Sequence, residues 1–255
     1  MSSLNLCRLP PSETSEQGRP EIFRTLQGEG VSSGCPAVFL RLSQCNLHCH
    51  WCDTPFTWNW ENTPWKHEGN QKFKPTEHQI RLSLTELAEI LKEKAKSGDH
   101  LVVTGGEPLL QQQQLAELFP LLSNTFSMIE IETNGTQIPS KEVCRYVDQF
   151  NVSPKLSNSG MKASLRLKTE ALLSLTSQGN TFFKFVIAHP NDMKEVQELV
   201  QQLSLQPKRV LLMPEGRSRE ELSKNRLWIA QECLANGYRF TDRLHVELWG
   251  DKRGR

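Results

Sequence analysis

The chain has almost no excess of either charge, no long apolar run and an odd number of cysteines, and each shortage removes a class of protein. Thirty Lys and Arg stand against 29 Asp and Glu, a net charge of +1. That balance supplies no basic field for a nucleic-acid backbone, so no direct nucleic-acid partner is expected. No stretch approaches the roughly 20 apolar residues that span a bilayer, so no membrane association is expected. The first twenty residues, Met1 to Pro20, contain no apolar signal-peptide core. These features point to the cytoplasm, where thiols stay reduced and clustered cysteines bind metal more often than they form disulfides. Seven cysteines also argue against a disulfide framework. With 37% apolar residues in 255, the chain can bury the core of one large α/β domain or two small ones.

What is present is concentrated in one stretch. Cys45, Cys49 and Cys52 follow a CxxxCxxC spacing directly after the apolar run Pro36 to Leu42. A structural zinc site closes with four ligands, and three cysteines in one loop leave it one short. A four-iron cluster held by three thiolates keeps one iron open to a further ligand. The loop resembles that of the radical S-adenosylmethionine superfamily, which implies a cluster whose free iron takes the amino and carboxylate groups of S-adenosylmethionine. One electron from such a cluster cleaves the sulfonium to a deoxyadenosyl radical. A zinc or redox-thiol site is the plainer alternative.

Residues 1–20 have few large apolar side chains and are expected as a disordered or loosely attached tail, with a single catalytic domain over 21–255. Glu21 to Leu26 is expected as a strand, ended by Gln27-Gly28-Glu29-Gly30, either a turn whose glycines let the backbone approach a ligand or an ordinary strand-ending turn. Residues 55–82, with Trp58, Trp60 and Trp65, show no period and are expected as a variable loop, a cover near the cysteines or a plain insertion. From Ser83 strands and helices alternate. Helices are expected at Leu84 to Lys96, Gln113 to Ser123, Ser140 to Gln149, Leu165 to Ser177, Asp192 to Leu203 and Arg219 to Asn236. Strands are expected at His100 to Thr104, Ser127 to Thr133, Asn151 to Ser153, Thr181 to Ile187, Arg209 to Met213 and Leu244 to Leu248. That order implies a parallel sheet covered by helices, an open sheet or a barrel, with ligands gathering at the carboxyl ends of the strands. Those ends carry Thr104-Gly105-Gly106-Glu107-Pro108, Glu132-Thr133-Asn134-Gly135-Thr136, Ser153-Pro154-Lys155 and Met213-Pro214-Glu215-Gly216. Arg41 is a charge inside an apolar strand and needs an anion, either a ligand's carboxylate or a buried Glu.

Taken in order, Gln27-Gly28-Glu29-Gly30, the cysteine loop through Cys52-Asp53-Thr54, Thr104 to Pro108, Glu132 to Thr136, Ser153 to Lys155 and the closing Leu248-Trp249-Gly250-Asp251-Lys252-Arg253-Gly254 resemble the 7-carboxy-7-deazaguanine synthase family. The resemblance implies an incomplete β/α barrel, usually homodimeric. It also implies conversion of 6-carboxy-5,6,7,8-tetrahydropterin to 7-carboxy-7-deazaguanine with loss of ammonia, in queuosine and deazapurine biosynthesis. Cys45, Cys49 and Cys52 would bind the [4Fe-4S] cluster. Trp51, Asp53, Gly106, Ser153, Pro154 and Lys155 would flank S-adenosylmethionine. Leu26, Gln27, Gly28, Glu29, Arg41 and Thr104 would line the pterin, and Thr54 would offer its hydroxyl to magnesium. An electron donor such as a flavodoxin is the implied partner. The rivals are a glycyl-radical-enzyme activase and a metal-binding protein without catalysis. Cys35, Cys144, Cys233 and Cys7 are not expected as ligands.

Overall fold

A computed structural model describes residues 2–11 and 18–255. Eleven strands form one sheet: β1 (Ser3–Leu9), β2 (Arg19–Pro20), β3 (Ile22–Leu26), β4 (Pro36–Leu42), β5 (Gln79–Ser83), β6 (His100–Gly105), β7 (Met128–Thr133), β8 (Gln149–Val152), β9 (Thr181–Ile187), β10 (Val210–Pro214) and β11 (Arg239–Phe240). From β4 through β6, β7, β8, β9 and β10 to β11, every neighbouring pair is parallel. Among the described residues the ends of the sheet do not pair with each other, so the barrel is incomplete.

Alternation along the strands separates two faces. Val38, Leu40 and Leu42 on β4, Leu101 and Val103 on β6, and Phe183, Phe185 and Ile187 on β9 are fully buried in the main hydrophobic core. The helix Leu84–Lys94 shows how that core is covered: Ser83 caps it by accepting from the Glu86 amide, and Leu84, Leu87, Ala88 and Leu91 form its buried stripe. The other face carries Arg41, Glu130, Glu132, Asn151 and Lys184, which makes the inside of the barrel polar.

The structure corrects several expectations. Residues 3–9 are an ordered strand, antiparallel to β4, β5 and β2, with Leu4, Leu6 and Cys7 fully buried. Leu4 and Leu6 alternate on one face, and burying each contributes about 1.5–3 kcal/mol. A low average hydropathy concealed this, because a strand on a pre-existing sheet needs only alternate apolar positions. Residues 1 and 12–17 of the expected tail lie outside the described residues. Leu244–Trp249 is a helix, and the strand at that end of the sheet is the two-residue β11. Six mixed residues do not distinguish the two periods. The helix expected to Gln149 stops at Cys144, and Gln149 and Asn151 instead bond Glu130 from β8. The helix expected over 165–177 divides into Ala163–Arg166 and Thr169–Thr176. Part of the expected loop is structured: Gln79–Ser83 is β5, and Trp60 bridges to Phe73.

Candidate active site

The cysteine loop leaves the carboxyl end of β4 and lies across the ends of β6 and β7. The Gly106 amide donates to Leu42 O at 3.1 Å, and the Glu107 amide to Gln44 O at 2.8 Å. A Cβ on Gly106 would stand 2.0 Å from Gln44 O, so this approach requires glycine. Asn46 donates to Thr136 Oγ1 at 2.8 Å and accepts from Asn134 Nδ2 at 3.0 Å. Trp51 Nε1 donates to Asn158 O at 3.0 Å. Glu107 itself is fully buried and accepts from Leu109 N, Thr133 Oγ1 and Asn134 N, so its carboxylate joins two strand ends.

Cys45, Cys49 and Cys52 are unbridged and line one cavity. Three free thiols lining one cavity are a donor set that fits a cluster, in which each sulfur takes a different iron. Burial pushes the Cys49 thiol up to about 12 and also raises Cys45 and Cys52, so loading a metal group must displace protons. Cys52 Sγ accepts from Trp58 Nε1 at 3.3 Å and lies 3.6 Å from Thr54 Oγ1.

Every residue expected at the site lines this cavity except Pro154, which is buried behind its wall. The Gln27–Gly30 turn arrives by an unexpected route. β3 is antiparallel to β4, so its carboxyl end lies away from the cysteine loop, and the turn folds back into the barrel. There Gln27 donates to Glu132 at 3.3 Å, and Glu29 accepts from Lys184 at 2.6 Å and Arg243 at 3.0 Å. Gly28 permits this, because a Cβ would stand 2.2 Å from His245 Nδ1. Arg243 also contacts Asp53 and donates to Gly216 O at 2.7 Å. Lys184 reaches Glu132 at 3.0 Å. Burial opposes ionisation of Glu29, but Lys184 and Arg243 outweigh it and hold its carboxyl below the usual range. Glu132 goes the other way: burial, helped by the Glu29 charge, raises it despite Lys184.

Arg41 lines the cavity and gives its Nε to Glu21 at 2.9 Å, so the buried-Glu partner exists. Its Nη atoms have no protein partner among the described residues, and they are the edge available to a ligand. Near the cysteine loop, Lys155 Nζ sits 5.5 Å from the Trp51 ring centroid and bonds Ser153 Oγ at 3.0 Å. Met213 to Gly216 also form part of the wall.

The cavity residues absent from the expected set include Glu132, Lys184, Arg243 and His245, which surround Gln27 to Glu29. Lys184 gave the same signal as Arg41, a charge within the apolar run Thr181–Ile187. Glu132 stood in a noted strand-end segment. Arg243 and His245 gave none, because their segment reads as a strand.

An incomplete parallel barrel with a three-cysteine loop beyond its first parallel strand defines a radical S-adenosylmethionine enzyme, and residues 41–157 match the Radical SAM superfamily model. The chain is 35% identical over 237 residues to a 7-carboxy-7-deazaguanine synthase from Pyrobaculum aerophilum, covering 92% of this chain and 96% of that one. It is 30% identical to the enzyme of the same name from Escherichia coli K12, covering 89% and 96%. The crystal structure of QueE from Escherichia coli superposes with a TM-score of 0.64 at 26% identity, over 88% of this chain and 92% of that one. The chain belongs to the 7-carboxy-7-deazaguanine synthase family.

Proposed function

We infer that this enzyme converts 6-carboxy-5,6,7,8-tetrahydropterin to 7-carboxy-7-deazaguanine with loss of ammonia, as a step of queuosine and deazapurine biosynthesis. The observation that carries the reading is one cavity with three unbridged thiols on one wall and the open edge of Arg41 on another. The relationship along nearly the whole chain agrees with it.

Cys45, Cys49 and Cys52 hold the cluster. Bound together, the cluster and S-adenosylmethionine supply reductive cleavage of a sulfonium and so a hydrogen-abstracting radical. Trp51, Asp53, Gly106, Ser153, Pro154 and Lys155 flank S-adenosylmethionine. The protein's part is positioning, since so reactive a species is selective only if one C–H bond lies within reach. Arg41 forks the substrate carboxylate. Gln27 and Glu29, held by Glu132, Lys184 and Arg243, read the ring edge, with Leu26, Gly28 and Thr104 completing the wall. Thr54 lines the same cavity, and its hydroxyl suits magnesium, which prefers oxygen ligands and keeps several waters. Thr54→Ala should weaken the magnesium dependence of turnover and leave S-adenosylmethionine cleavage in place. No described helix is long and apolar enough to cross a membrane, and the enzyme is proposed to work in the cytoplasm as a homodimer reduced by a donor such as a flavodoxin.

The test is anaerobic turnover of the carboxylated tetrahydropterin with 5′-deoxyadenosine and deazaguanine quantified together. Coupled formation of both is the expected result. A protein with an intact cluster that makes no deazaguanine and instead generates a glycyl radical in a partner enzyme refutes the synthase reading.

A further inference from the structure

Glu21 is fully buried, does not line the cavity, and carries two arginines. Its Oε1 accepts Arg41 Nε at 2.9 Å, and its Oε2 is taken by Arg253 Nη2. Arg253 also donates to Arg8 O at 3.1 Å, and its guanidinium lies 3.5 Å from the Phe56 ring centroid, two residues beyond Thr54. The segment around it makes further contacts: a Cβ on Gly254 would stand 3.5 Å from Leu9 Cδ1, and Arg217 pairs with Asp251.

A carboxylate removed from water needs its oxygens satisfied, and an arginine beside it pairs through a two-pronged edge when one is free. Arg253 occupies Oε2. Arg41 is thereby restricted to a single Nε contact, and its Nη atoms stay open to the cavity. Without Arg253, Arg41 would be the remaining cation on Glu21 among the described residues, and its fork would turn onto both oxygens. The pair of arginines also leaves this buried group with a net positive charge, which a ligand carboxylate would neutralise.

We propose that Arg253 is a positioning residue for substrate specificity: by holding the second oxygen of Glu21, it keeps the Arg41 fork free for the carboxylate of the substrate. This rests on the reading of Arg41 given under the proposed function. It also gives the closing segment a task, because a residue more than 200 positions from Arg41 in sequence decides which edge Arg41 presents.

The test compares two ligands on the reconstituted enzyme with S-adenosylmethionine under anaerobic conditions, by titration calorimetry: 7-carboxy-7-deazaguanine and 7-deazaguanine, which lacks only the carboxylate. Wild type should prefer the carboxylated ligand. Arg253→Leu should weaken its binding by about tenfold, the effect of one charged hydrogen-bonding edge, and leave 7-deazaguanine binding nearly unchanged. A general structural defect would weaken both. Adding Glu21→Gln to Arg253→Leu should restore part of the preference, since a neutral amide no longer captures the fork. If Arg253→Leu is not recovered folded, Arg253→Lys is measured instead and should lose a smaller part of the preference. A folded Arg253 variant with the wild-type preference overturns the proposal and leaves the synthase reading standing. A wild type without any preference overturns the Arg41 assignment and the proposal with it.

Discussion

Lys184 is the perturbation with the sharpest consequence. Its side chain is 6% exposed, and its ammonium bridges Glu29 at 2.6 Å and Glu132 at 3.0 Å. Methionine at this position keeps the length and removes the charge. Glu29 would retain Arg243, whereas Glu132 would keep only the neutral donors Gln27 and Asn151. Removing one partner of a buried pair costs roughly 3–5 kcal/mol, a large part of the 5–15 kcal/mol that holds a typical domain. For a chain of this size that lowers the melting temperature by about 10 °C.

The pH dependence gives a second, independent readout. In wild type, attraction to Glu132 and Glu29 overcomes burial and raises Lys184, so its contribution is complete below the ordinary lysine range and is lost only in strong alkali. Glu29 is depressed, so its contribution is present above the ordinary carboxylate range and lost only in acid. Above the ordinary carboxylate range and below the lysine range, therefore, Lys184 and Glu29 contribute no slope, and of the three groups only the raised Glu132 makes wild-type stability fall with pH. In Lys184→Met the Glu132 carboxyl, already raised by burial, rises further. The folded state then binds a proton that the unfolded state releases, so stability falls as pH increases, by up to about 1.4 kcal/mol per unit. Urea denaturation at pH 5, 6.5 and 8 measures both effects. A variant as stable as wild type, with the same slope, would show that Lys184 does not hold Glu132 ionised.

Replacing Cys45, Cys49 or Cys52 by Ala should abolish cluster absorbance after anaerobic reconstitution, whereas Cys35→Ala should keep it. Cys35 precedes β4, whose seven residues put about 20 Å between it and the loop, and loss of the cluster in that variant would contradict the three-thiol assignment. Trp58→Phe removes the donor at 3.3 Å from Cys52 Sγ, so the midpoint potential in a spectroscopic redox titration should move to more negative values. An unchanged or more positive value argues against that bond in the loaded enzyme. Leu6→Ala empties a fully buried position on β1 and should cost about 2–5 kcal/mol in denaturation experiments. A negligible loss would show that β1 is dispensable to the sheet.

Legibility in the sequence followed the range of the interactions. Cys45, Cys49 and Cys52 lie within eight consecutive residues, and Gly105 and Gly106 end an apolar strand, so their chemistry can be read from spacing alone. The alternation of strands and helices from Ser83 onward was similarly visible, because each element buries a stripe with its own local period. Arg41 announced itself as a charge in an apolar strand, but whether it met Glu21, a ligand or both depended on what lay across the wall.

What the tertiary structure alone decided are pairings between distant residues. Ser3–Leu9 became a strand because β4 and β5 presented edges to it. The Gln27–Gly30 turn entered the cavity because the barrel is left open and the turn folds inward, where Lys184 and Arg243 hold Glu29. Arg243, just before the helix Leu244–Trp249, and His245 in its first turn reached the site from a segment that reads locally as a strand. A short segment has no strong preference of its own, so its conformation is settled by the buried partners it can satisfy, and for Glu29 and Arg243 those partners lie 214 residues apart.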